Sequence, residues 1–130
     1  MLQDPNTGDP IDTGTVNAIH APAAATQATT TKTAAGAGVR NICRSIAAYI
    51  ACGATPQTPI GVVLRDGATG VGTILWEAKL AAPANGYASV EIHDLFFIGS
   101  DNTAMTLEFL VAGVAASEQA VNMGTVESIL

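Results

Sequence analysis

The chain has 130 residues, enough for one domain or for one domain with an arm. Its formal net charge is −6, and its five basic residues, Lys32, Arg40, Arg44, Arg65 and Lys79, are dispersed, so the clustered cations that grip phosphates are missing and nucleic-acid binding is not expected. Only 12% of residues are charged, against about 25% in an ordinary soluble domain, which implies a surface covered by Thr, Ser, Asn and Gln, by neighbouring subunits, or by both.

Residues 1–22 contain Pro5, Pro10, Pro22, Gly8, Gly14 and three aspartates, with no apolar period. They read as an extended N-terminal arm that orders only against a partner. The first fourteen residues are acidic and polar, the opposite of a signal peptide. Residues 23–130 read as the folded domain. Its first part, AAATQATTTKTAA, carries a threonine run that favours an extended strand. Residues 39–52 fit two periods: Val39, Ile42, Cys43, Ile46 and Ile50 make a helical stripe, while Ile42, Ile46, Ala48 and Ile50 share one face of a strand. The β character of everything downstream favours the strand. Residues 45–64 hold no charge, but Gly53, Pro56 and Pro59 break any apolar helix, so no membrane span is expected. Cys43 and Cys52, placed on one strand, would lie about 30 Å apart and on opposite faces, beyond disulfide reach. Both thiols are expected to be free.

Beyond Pro59 the alternation is regular. Ile60, Val62 and Leu64 precede the stretch LRDGATGVGTILW; Ile74, Trp76, Ala78 and Leu80 follow it. Gly67 and Gly72 have the gap of a P-loop, but Thr73 stands where the lysine that reaches the phosphates is required, and the next residues have a strand period instead of a helical one. As a dinucleotide fingerprint the stretch lacks its third glycine. It reads as a β-hairpin, with Asp66–Gly67 and Thr69–Gly70 as turn formers. The APANG turn at 82–86 leads into Ala88, Val90 and Ile92; LFFIG closes on Gly99; Met105, Leu107, Phe109 and Val111 alternate again; and AGVAA turns the chain towards Gln119, Val121 and Met123. Short strands about ten residues apart, divided by Gly, Pro and Asn turns, predict an all-β protein built as an antiparallel β-sandwich or barrel.

Chemistry-bearing residues are few. His20 falls in the arm, and His93 stands on a polar strand face beside Asp94, with Ser89 about 13 Å along the strand. Asp94 and the Asp101–Asn102 pair lack calcium-loop spacing, and no Cys/His spacing suits zinc. No catalytic residue, metal site or cofactor is expected, and the chain is not expected to be an enzyme. Trp76, in line with Ile74 and Leu80, reads as core, and Tyr49 and Tyr87 are too far apart in sequence to suggest a sugar platform.

The LRDGATG-G-ILW hairpin, the AP-NG turn and the strand pair NTAMTLEFLVAGVAA together resemble a recurrent module of tailed-bacteriophage structural proteins, over about residues 24–125. The resemblance implies a virion component with a jelly-roll-like sandwich, often trimeric, and no catalytic residues. It leads to the expectation of a capsid decoration (cement) protein on the head surface, a homotrimer with the major capsid protein as partner. The alternative is a tail- or fibre-associated module that recognises glycan or host surface.

Overall fold

Period-two alternation becomes strand throughout residues 16–129, the part of the chain that the computed structural model describes. In chain order the strands are β1 (Val16–His20), β2 (Thr29–Lys32), β3 (Val39–Ala51), β4 (Gln57–Asp66), β5 (Thr73–Ala82), β6 (Tyr87–Ile92), β7 (Phe97–Asp101), β8 (Met105–Phe109) and β9 (Glu118–Ile129). They form two sheets. The first runs β1-β9-β3-β6, with β7 also paired to β3; the second runs β2-β8-β4-β5. Every pairing is antiparallel.

Strands β6 and β7 occupy successive lengths of the same edge of β3, against Ile46–Ala51 and against Arg40–Cys43 respectively. Counted as one broken strand they reduce the fold to eight. The pairs then run first with last, second with seventh, third with sixth and fourth with fifth. That nesting is a jelly roll, and the expected all-β sandwich is present.

The core lies between the sheets. Ile60, Val62, Leu64, Met105, Leu107 and Phe109 from the second sheet meet Cys43, Ile46, Ala48, Ile50, Val121 and Met123 from the first. The ambiguous 39–52 segment is a strand of thirteen residues. Its face assignment needs one correction. The register of β3 against β9 shifts between Cys43 and Ser45, leaving Arg44 as an extra residue. The bulge puts Cys43 on the core side with Ile46, while Ile42 points to the other side and packs with Val126, Phe96 and Ile98. Arg44 lays its guanidinium 4.9 Å from the centre of the Phe96 ring. A second shift, in β5 opposite Leu64 and Arg65, likewise separates Trp76, which packs on the core, from Ile74, which is exposed.

The boundary at residue 22 also moves. Residues 16–20, assigned above to the arm, form β1 and pair with β9 from Val16↔Thr125 to His20↔Val121. Strand β1 is an edge strand with one half-covered face, so its sequence shows little apolar period. The rest of the expected arm, residues 1–15, lies outside the described residues.

Candidate functional site

The glycine-rich stretch is the hairpin between β4 and β5, with positive φ at Gly67 and Gly70. It does not project from the sandwich. Thr106 and Glu108 point away from the core side of β8, and the loop folds back over them: Thr106 Oγ1 donates to the Gly67 carbonyl at 2.9 Å, and the Gly70 amide donates to Glu108 Oε1 at 3.0 Å. Thr69 Oγ1 donates to Glu108 Oε2, and Arg65 Nε reaches Glu108 Oε1 at 2.6 Å while its Nη1 holds the Gly72 carbonyl at 3.0 Å. A glycine loop does cradle an anion here, and that anion is the chain's own carboxylate. Burial works against the charge of Glu108. The hydrogen bonds from Thr69, Gly70 and Arg65, together with the Arg65 charge, outweigh it and hold the carboxyl below the ordinary carboxylate range. A nucleotide phosphate would have to compete with Glu108 for the Gly70 amide and for Arg65.

The two histidines occupy different settings from those expected. His20 ends β1, and its Nδ1 accepts the Thr29 amide at 3.0 Å, so it ties the edge of one sheet to the start of the other. His93 lies just past β6, and its Nε2 meets Glu91 Oε1 at 2.8 Å, making Glu91 and not Asp94 its hydrogen-bond partner. Asp101 Oδ1 accepts the Gly38 amide at 2.7 Å, and Asp66 accepts the Ser100 amide and hydroxyl; both carboxylates brace loops. Among the described residues no three His, Cys, Asp or Glu side chains gather as a metal cluster.

Both cysteines are free. They do not face opposite sides: with the bulge at Arg44, Cys43 and Cys52 both pack on the core between the sheets, separated along β3. Burial pushes the Cys43 thiol up to about 12, against a smaller opposing effect of the Ser45 backbone. Cys52, only partly buried, is the accessible one. Native protein treated with iodoacetamide at pH 8 is expected to gain one label, at Cys52, and a second only after unfolding. Rapid native labelling of Cys43, or a disulfide in unreduced protein, would contradict this arrangement.

The feature that sequence spacing hides is on the outer face of the first sheet. Cross-strand register sets Ile19, Asn122, Ala47 and Glu91 in one row across β1, β9, β3 and β6, and Ala120, Tyr49 and Ser89 in the next. Tyr87, diagonal to Tyr49, brings its ring centroid within 5.9 Å, with 30° between the ring planes. A groove of about 320 Å³ opens between these rows, lined by Ile19, Ala47, Tyr49, Ser89, Glu91 and Asn122 among others. The only signal for it in the sequence is the shared parity of Tyr49 with Ala47, and of Tyr87 with Ser89 and Glu91. Which strands are neighbours decides the rest.

No family model matches the chain, and no curated protein matches it. Solved structures similar to it include a chain of the disulfide-linked pili of Bacillus endospore appendages, at 21% identity and TM-score 0.38, covering 96% of this chain and 93% of that one. The Tobacco streak virus coat protein aligns at 6% identity and TM-score 0.38 over 92% and 90%. A family 16 carbohydrate-binding module aligns at 16% identity and TM-score 0.34 over 94% and 88%. At these scores the overlaps carry no functional argument, and the fold assignment rests on the strand pairing. The chain is a β-sandwich module of jelly-roll topology.

Proposed function

We propose that the protein is a non-catalytic structural module that acts through its surfaces, as a decoration protein on the head of a tailed bacteriophage. The observation that carries this reading is apolar surface exposed at the sheet edges. Val16 on β1 and Ile74 on β5 are exposed on strands at the sheet margins, in a chain with only 12% charged residues. Margins of this kind are covered when subunits associate edge to edge, and closed association removes the open edges as well. The resemblance of residues 24–125 to tailed-phage structural proteins points to three subunits and to the major capsid protein as the lattice. Three contacts on one lattice would act together through effective concentration, so each can be weak.

Light scattering of the free protein is expected to give a trimer, and sedimentation with undecorated heads is expected to carry the protein down and raise the temperature at which heads burst. A stable monomer that ignores heads sinks the decoration reading. The exposed tyrosine pair favours a second reading, a tail- or fibre-associated module that recognises glycan.

A further inference from the structure

We propose that the outer face of the first sheet is a binding site for a neutral saccharide, with Tyr49 and Tyr87 as its stacking platform. The inference goes beyond head decoration and does not depend on it. Tyr49 is 40% and Tyr87 69% exposed, whereas Phe109 is buried and Trp76, Phe96 and Phe97 pack against the cores. The two aromatic side chains left in solvent are the two that stand beside each other, 5.9 Å apart. They adjoin a groove of about 320 Å³, at the lower end of the sizes that small-molecule sites adopt.

The floor and walls suit one ligand chemistry. Ala47 and Ala120 are small enough to let a flat ring approach the sheet, while Ile19 and Tyr49 supply apolar surface that Tyr87, beside Tyr49, extends beyond the groove. Polar groups are interleaved with them: Ser89, the Glu91 carboxylate, and Asn122, whose buried Oδ1 has no hydrogen-bond partner. A buried acceptor without a donor is costly, and a ligand hydroxyl would supply the donor. A pyranose presents both features at once. Its axial C–H face stacks on an aromatic ring, and its equatorial hydroxyls donate to Asn122 Oδ1 and Glu91 and accept from Ser89.

Charge selects among sugars. Among the described residues no lysine or arginine lines the groove, Glu91 is part of its lining, and the chain carries a net charge of −6. Sulfated and uronic-acid sugars are therefore repelled, and neutral gluco- or galacto-configured oligosaccharides are the class that fits.

The test is a backbone-amide NMR titration of the full chain with maltotriose, cellotriose, triacetylchitotriose and lactose, and with a heparin tetrasaccharide as the anionic arm. At least one neutral sugar is expected to give saturable shifts concentrated at Ala47, Tyr49, Ser89, Ala120 and Asn122. Tyr49→Ala and Tyr87→Ala should each weaken binding about tenfold, and Tyr49→Phe should retain it. Unchanged dispersion in each variant's spectrum separates lost binding from lost folding. The proposal is overturned by the absence of saturable shifts with every neutral sugar, by equal affinity in the alanine variants, or by preference for heparin. It is also overturned if the same amides shift with protein concentration alone, which would mean that a second copy covers this face. None of these readouts involves heads, so the outcome is separate from that of the decoration experiment.

Discussion

Glu108→Gln is expected to destabilise the protein by about 3–5 kcal/mol at pH 7, measured by chemical denaturation. The glutamine keeps the size and one acceptor oxygen of the native side chain but removes its charge. Arg65, with a side chain 11% exposed, then loses the counter-charge it holds at 2.6 Å in a site where Glu108 is only 2% exposed. The loop loses anchorage at the same time, because Thr69 and the Gly70 amide are held by the same carboxylate. Replacing both Arg65 and Glu108 with methionine should cost less than the two single replacements combined, since no unpaired ion is left behind.

The acid limb provides an independent check. The folded-state value of Glu108 is depressed, so its contribution is complete above the unfolded value of about 4.3 and is lost as pH falls through the folded value. The gap between the native chain and Glu108→Gln should therefore close as the pH is lowered below about 4. A gap under about 1 kcal/mol at pH 7, or one that persists unchanged in acid, would remove Glu108 from the centre of this account.

The second large effect is expected at Phe109. It is fully buried at the end of β8, a strand inside the second sheet, and packs in the core with Leu107, Met105 and Leu64. Phe109→Ala removes the ring and leaves a cavity that two hydrogen-bonded sheets cannot easily close. The expected cost is about 3–5 kcal/mol, or roughly 10–20 °C in melting temperature. Val71→Ala is the control: Val71 is 84% exposed at the hairpin loop and should change stability by no more than about 0.5 kcal/mol. Similar costs at both positions would mean that the core has been misplaced.

These two predictions mark the limits of what the chain's pattern discloses. The hairpin was readable because Gly67 and Gly70 are needed for positive φ, and that need is local. The inward set on β8 was readable too, since Met105, Leu107 and Phe109 alternate strictly. Glu108 looked like an ordinary polar position in that alternation. Nothing local shows that a loop folds back over it, because Thr69 and Arg65 arrive from another strand pair. Bulges defeat parity in the same way. One extra residue at Arg44 moved Ile42 off the face of Ile46, and no residue type announces it. Strand β1 escaped because an edge strand with one covered face needs only weak apolar character. The tyrosine platform escaped because it depends on β6 lying against β3, which is a matter of topology.

The nesting of the strands also gives the molecule a direction. Val16 pairs with Thr125, and Val39 pairs with Ile129, so residue 16 and residue 129 leave the sandwich at the same end. The opposite end carries the turn where Asn85 donates its amide to the Gly53 carbonyl and Cys52 donates to that of Gly86. Tyr87, paired with Ala51, sits at that second end, and the tyrosine pair lies towards it. A pull applied at residue 16 or residue 129 therefore acts at one pole while the aromatic platform is offered near the other. Attachment near residues 16 and 129 and display of the aromatic platform can proceed together.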